Sequence, residues 1–184
     1  TTTANFLEIG IGSRATSMGD AYVAVANDVS SIYWNPAGLS HVARSSALFS
    51  IQPWLVDIDM MFAGGAFVVP SVGVIGLGIT HLDYGEMDVT NLEYQDGTGE
   101  RFGASDVAAT FTFSRKIVSW FSFGSSMKYI SSKIWHSSAS AFAVDLGVLV
   151  NTNFFSFTGK DKDGMNIGMS ISNYGTRMKY DGID

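Results

Sequence analysis

Residues 60–80 read MMFAGGAFVVPSVGVIGLGIT, and the fold turns on whether this uncharged run is a helix or a hairpin. Its length and apolarity satisfy a transmembrane helix, for which roughly 20 such residues suffice. Its composition argues otherwise. Gly64, Gly65, Gly73, Gly76 and Gly78 weaken a helix, and Pro70 stands mid-run in a Pro-Ser-Val-Gly turn sequence. Beyond that turn, Gly73, Ile75, Leu77 and Ile79 alternate with Val74, Gly76, Gly78 and Thr80, a period of two. The run is predicted as two strands joined by a tight turn.

The same alternation continues downstream. Val107, Ala109, Phe111 and Phe113 oppose Ala108, Thr110, Thr112 and Ser114; Phe121, Phe123, Met127 and Tyr129 oppose Ser122, Gly124, Ser126 and Lys128. Phe142, Val144, Leu146 and Val148 oppose Ala141, Ala143, Asp145 and Gly147, and Ile167, Met169 and Ile171 oppose Gly168, Ser170 and Ser172. Seven strands are predicted, over about 44–51, 57–69, 72–84, 105–116, 120–132, 139–151 and 165–173. Each has one bulky apolar face and one face of small or polar residues. A soluble sandwich would carry Lys, Glu and Thr on its exposed face, whereas a transmembrane β-barrel wants bulky groups toward lipid and small polar ones toward the lumen. The predicted class is therefore all-β, a transmembrane antiparallel β-barrel, with the soluble β-sandwich as the alternative.

Composition agrees. The chain has 184 residues, 46% hydrophobic, 13% aromatic and only 15% charged, against about 25% charged in a typical soluble domain. The absence of Cys excludes a disulfide scaffold or thiolate metal site. A pI near 4.9 argues against a nucleic-acid partner. Seven acids (Asp83, Glu86, Asp88, Glu93, Asp96, Glu100, Asp106) face one base, Arg101, so residues 83–106 alone account for the formal net charge of −6. That window reads as a long outer loop. Turns at 70–73 and 116–119 are short, 131–140 is intermediate, and 151–164 is long on the side where short turns are expected. Trp54, Tyr84 and Trp135 at one set of strand ends, and Trp120, Phe154 and Phe155 at the other, read as two aromatic girdles. Arg115 and Lys116 at a strand end fit headgroup contacts.

Seven is an odd count where barrels of this kind usually have an even one, so the chain is expected to be the N-terminal half of a longer barrel. An eight-stranded barrel with an extra strand near 86–94 is the other possibility. Residues 1–42 do not alternate and are expected to form a hatch inside the lumen, with 43–184 supplying strands. A short helix is predicted over 19–27 and a sharp turn at Asn35-Pro36, where Pro36 pushes Asn35 out of helix and the Asn35 side chain can cap the next turn. No signal peptide is visible; export to an outer membrane would place Thr1 near a mature terminus.

The pieces Ser13-Arg14-Ala15, Met18-Gly19-Asp20-Ala21, Ala24-Val25-Ala26-Asn27-Asp28 and Trp34-Asn35-Pro36-Ala37-Gly38-Leu39 together resemble the N-terminal signature of the PorV/PorQ-like family within the FadL-like outer-membrane barrel superfamily. Lys128-Tyr129 and Ile171-Ser172-Asn173-Tyr174-Gly175 are similar to family positions further on. The resemblance implies a fourteen-stranded barrel in the outer membrane of a Gram-negative-type bacterium, with Trp34, Asn35, Pro36 and Ala37 in the hatch. It implies one of two roles. FadL-type proteins pass fatty acids and other hydrophobic small molecules, while PorV-type proteins act in type IX secretion as shuttles or translocon partners for secreted proteins. Gly38 departs from secretion-type members, which carry Lys there, and this points to the broader branch.

Chemistry-bearing motifs are sparse. Gly10-Ile11-Gly12-Ser13-Arg14-Ala15 matches a loose dinucleotide fingerprint but lacks a βαβ setting. Asp161-Lys162-Asp163-Gly164 echoes a calcium loop without its first and last ligands. His41, His81 and His136 match no metal spacing, and no Gly-x-Ser-x-Gly elbow occurs. Neither an enzyme, a cofactor nor a metal is expected. Lys128 and Asp145 sit at lumen-facing positions on neighbouring strands and are placed to pair, either lining a polar passage or holding the hatch. Three functions follow: a channel for a hydrophobic small molecule, a secretion or assembly partner that docks a larger protein, and a soluble binding module.

Overall fold

The computed structural model describes residues 3–55, 58–95, 97–158 and 164–181. Seven strands, β1 (Ser46–Pro53), β2 (Asp59–Val69), β3 (Gly73–Asp88), β4 (Arg101–Val118), β5 (Phe121–Ile134), β6 (Ser137–Asn151) and β7 (Asn166–Gly175), form one antiparallel sheet in chain order. The run that opened the question is the β2–β3 hairpin, with Phe67 opposite Ile75 and Val69 opposite Gly73. Among the described residues no helix is long and apolar enough to cross a membrane.

The two faces are sorted as the alternation requires. Bulky residues stand open on one face, Phe111 at 49% exposure and Met169 at 64% among them, while Thr112, Ser114, Ser122 and Asp145 on the other are fully buried. A soluble sandwich would bury the bulky face against a second sheet. Among the described residues there is one sheet, with its bulky face uncovered, which is not the arrangement of a sandwich.

What covers the inner face is the N-terminal segment. It contains two single-turn helices, α1 (Ser13–Thr16) and α2 (Ser31–Trp34), and two 3-10 turns, Asn5–Glu8 and Pro36–His41. Phe6, Leu7, Ile11, Val29, Ile32 and Leu39 of this segment pack with Phe62, Val74, Leu82 and Ile130 of the inner face. The hydrophobic core is thus the seam between segment and sheet. It is closest where the sheet has no side chains: a Cβ on Gly76 would lie 2.7 Å from Leu39, and one on Gly78 3.0 Å from Ile32.

Several expectations need correction. Residues 19–27 are turns and irregular backbone, not a helix; Gly19 and Asp20 both take positive φ, 63° and 64°, which ends α1 before that stretch begins. No separate strand forms near 86–94. Instead β3 runs on through a bulge at Gly85 (φ 71°) to pair Glu86 with Gly103 and Asp88 with Arg101, so the acidic hairpin extends the β3–β4 ladder. There Arg101 bonds Glu86 at 2.9 Å and Asp88 at 3.0 Å. The 131–140 loop is a tight turn at Trp135-His136, closed by Trp135 at φ 50°. Tyr84 is no girdle residue: it shares the inward parity of Thr80 and Leu82, and its hydroxyl donates to Asp106 Oδ2 at 2.8 Å. The calcium-loop residues Asp161–Asp163 lie outside the described residues.

Candidate functional site

The inner face carries a transverse row in which Val74, Ser114, Gly124, Gly147 and Ser170 stand opposite one another across five strands. Its two glycines make a flat seat, and the Asn35-Pro36-Ala37 turn lies on it. A Cβ on Gly124 would fall 2.5 Å from Ala37 N, and one on Gly147 2.9 Å from Pro36 Cδ. At one side Ser114 Oγ donates to Ala37 O at 3.1 Å and accepts from Ser40 N at 3.1 Å. His41 reaches β6 through Nε2, 3.1 Å from Asn151 Oδ1; burial holds its imidazole below the usual histidine pKa.

Asn35 is the fastener of this seat. Its extended backbone (φ −159°) ends α2, and Pro36 starts the next turn at the position where a missing N–H costs nothing. The fully buried amide uses both ends: Oδ1 accepts from Ala37 N at 3.1 Å, while Nδ2 donates to Val23 O at 2.9 Å and Val148 O at 3.2 Å. One side chain therefore ties the turn to itself, to the preceding loop and to β6. Replacing Asn35 with Ala is expected to lower stability by roughly 1–3 kcal/mol, because buried backbone groups lose their partners. The check is the urea midpoint followed by heat-dependent gel mobility, which should fall for Asn35→Ala and fall further for Asn35→Asp, whose buried carboxylate would face the Val23 and Val148 carbonyls that Nδ2 now donates to.

Trp34 points the other way, into the segment. Its Nε1 donates to Ile11 O at 3.1 Å, and its ring meets Tyr22 and Tyr33 edge-on at centroid distances of 6.2 and 5.4 Å. Tyr33 donates in turn to Leu7 O and Ile9 O, both at 2.7 Å. Asp28 gathers the rest of the segment, accepting from Tyr22 Oη at 2.9 Å and from Ser30 N and Oγ. Arg14 bonds Asn27 at 2.8 Å beside it. Gly38 is fixed by space: a Cβ would lie 2.9 Å from both Ala26 C and Ser31 Oγ, so no Lys fits in this packing.

A second centre lies one row along. Lys128 Nζ is 2.7 Å from Asp145 Oδ2, with side chains 3% and 1% exposed. Lys128 also donates to Asn173 Oδ1 at 2.7 Å, Asn173 N donates to Asp145 Oδ1 at 2.7 Å, and the ammonium stands 5.9 Å from the Tyr33 ring. The triad exists because β7 slips here. Ile171 pairs with Leu146 and Tyr174 with Val144, so two residues of β7 face one of β6, and Asn173 takes φ 58°. Such a bulge re-aims a side chain. Simple alternation sends Asn173 outward, which is why the sequence pattern missed it; the bulge brings it in to complete the ion pair.

These groups hold and position rather than enclose. Small hollows lie on the inner side at the acidic end, one of about 290 Å3 between Thr3, Asp106 and Tyr180 and one of about 240 Å3 between Leu7, Asn173 and Met178. A concavity of about 850 Å3 lies on the opposite, apolar face.

Compared with protein families, the chain matches the family model described as type IX secretion system protein PorV over residues 1–184. No curated protein matches it.

Proposed function

The chain belongs to the PorV family of type IX secretion system proteins, an outer-membrane component of that system, and on that premise we propose that it is a plugged barrel that docks secreted proteins or a larger secretion complex through its outer loops. The lean toward the broader branch drawn from Gly38 gives way to the whole-chain match, and the space around Gly38 accounts for the residue.

The observation that carries the reading is the filled inner face. The N-terminal segment is bonded to β4 and β6 and packed into the glycine seat, in the manner of a hatch that stays in place. A protein with a fixed hatch works through its surfaces. The outer surface best suited is the acidic hairpin, stiffened by Arg101 and presenting Leu92 at 95% exposure near its tip. In this reading the protein is not an enzyme, and no residue is given a chemical step. Passage of a fatty acid or other hydrophobic small molecule through the lumen is the second reading; it would require the segment to leave its seat.

The test is complementation in a strain lacking the gene. Type IX cargo should be lost from the surface, restored by the wild-type chain, and not restored when residues 89–100 are replaced by a Gly-rich turn, with the variant still present in the outer membrane. Normal secretion without the hairpin tip removes docking at that loop. Failure of long-chain fatty-acid uptake with secretion intact turns the assignment to transport.

A further inference from the structure

The groove on the outer face has a cause that can be read from the inner one. Where Gly64, Gly76 and Gly78 let the wall settle onto Phe62, Val29 and Ile32, the outer surface is hollow, and its floor is formed by Ala47, Ala63, Gly65 and Ala109. Register places these in two adjoining rows, Ala63 aligned with Ile79 and Ala109, and Ala47 with Gly65, Leu77 and Phe111. Phe49, Phe111 and Phe142 rise around the floor, 66%, 49% and 59% exposed. A volume of about 850 Å3 falls inside the roughly 300–1,000 Å3 range of ligand sites.

We propose that this groove holds an acyl chain of one phospholipid whose phosphate is met by Arg115. The groove lies within the lipid-facing surface, so lipid is its neighbour already, and apolar walls without a filling atom forfeit their dispersion contacts. Charge then selects the leaflet. Arg115 is exposed, and it shares the outward parity of Ala109, Phe111 and Phe113 on β4. The six residues from Ala109 to Arg115 span about 20 Å at ~3.3 Å each. On a strand tilted ~40° that is close to the ~15 Å depth of one leaflet. At the other end of the sheet stands the acidic hairpin, which repels anionic headgroups. The raised aromatic rim works against a second protein, whose backbone would need a flat approach to the small residues.

The experiment uses the full chain purified from outer membranes and exchanged into lipid-free detergent, with retained phospholipid counted by native mass spectrometry. Wild type should keep one phospholipid. Ala63→Phe and Ala109→Phe, which fill the groove with lipid-compatible side chains, should each retain about tenfold less, as expected when the equivalent of two buried methylenes is lost. Arg115→Gln, a surface change that leaves the groove intact, should weaken retention while the control Ile171→Phe should not. Heat-dependent gel mobility reports folding, and if both filled variants misfold, Arg115→Gln decides. A wild type without bound lipid, equal retention in the filled variants or Arg115→Gln, or a bound polypeptide in place of lipid overturns the proposal.

Discussion

Lys128→Met alone is expected to be far more damaging than Lys128→Met combined with Asp145→Leu. The single change leaves the Asp145 carboxylate buried, with only the Asn173 N–H facing Oδ1. Removing one partner of a buried pair typically costs about 3–5 kcal/mol, whereas replacing both by apolar groups of similar volume is often neutral or better. The reason lies in desolvation: at 3% and 1% exposure neither charge has water to fall back on. Asn173 gives an internal control. It contacts both charges, so Asn173→Ala should weaken the pair less than Lys128→Met does, because the ion pair itself survives. Urea midpoints for the three variants, read by gel mobility, test the order. If the double variant is as unstable as the single one, the cluster is needed for its hydrogen bonds to the bulge and not for charge balance.

Much of this arrangement was legible in the sequence, and the reasons are specific. Alternation located β3 to β7 because one face must be bulky and the other small; both demands write a period of two into Phe111–Ser114 or Phe142–Gly147. The same rule placed Lys128 and Asp145 on one face. It failed at Tyr84, where the eye took an aromatic at a strand end for a girdle although its parity pointed inward. It failed again at Asn173, since a bulge changes parity and its signal, an Asn at positive φ, is a backbone fact. The segment before residue 46 is harder still. Its single-turn helices are too short to show periodicity, and its shape is set by contacts far apart in the chain, such as Asn35 with Val148 and Tyr33 with Leu7. There the family signature carried more than propensity could. Its Arg14, Asn27 and Asp28 come together in one hydrogen-bonded group, and its Asn35-Pro36-Ala37 becomes the turn that meets the sheet.

Gly147→Val should release that turn. Gly147 lies in the middle of β6, between Gly124 and Ser170, and glycine in a strand interior is usually a weakness. Here its missing side chain is what admits Asn35 and Pro36: a Cβ alone would lie 2.9 Å from Pro36 Cδ and 3.0 Å from Pro36 Cγ, and closer still to Asn35 Oδ1. Valine adds two methyl groups to that clash while improving strand propensity, so the sheet should form and the contact above it should fail. Overpacking of a tight core costs typically ~1–3 kcal/mol, and lifting Asn35 adds its three hydrogen bonds to that loss. The expected phenotype is selective: native gel mobility for the strands, with new protease cleavage between α1 and Pro36. Gly65→Ala is the matched control, since Gly65 faces outward and a Cβ there would sit 3.4 Å from the Phe67 ring, an ordinary contact. Protection of the segment in Gly147→Val as complete as in wild type would mean that the turn can reseat elsewhere on the inner face, and the role given to the glycine row would fall with it.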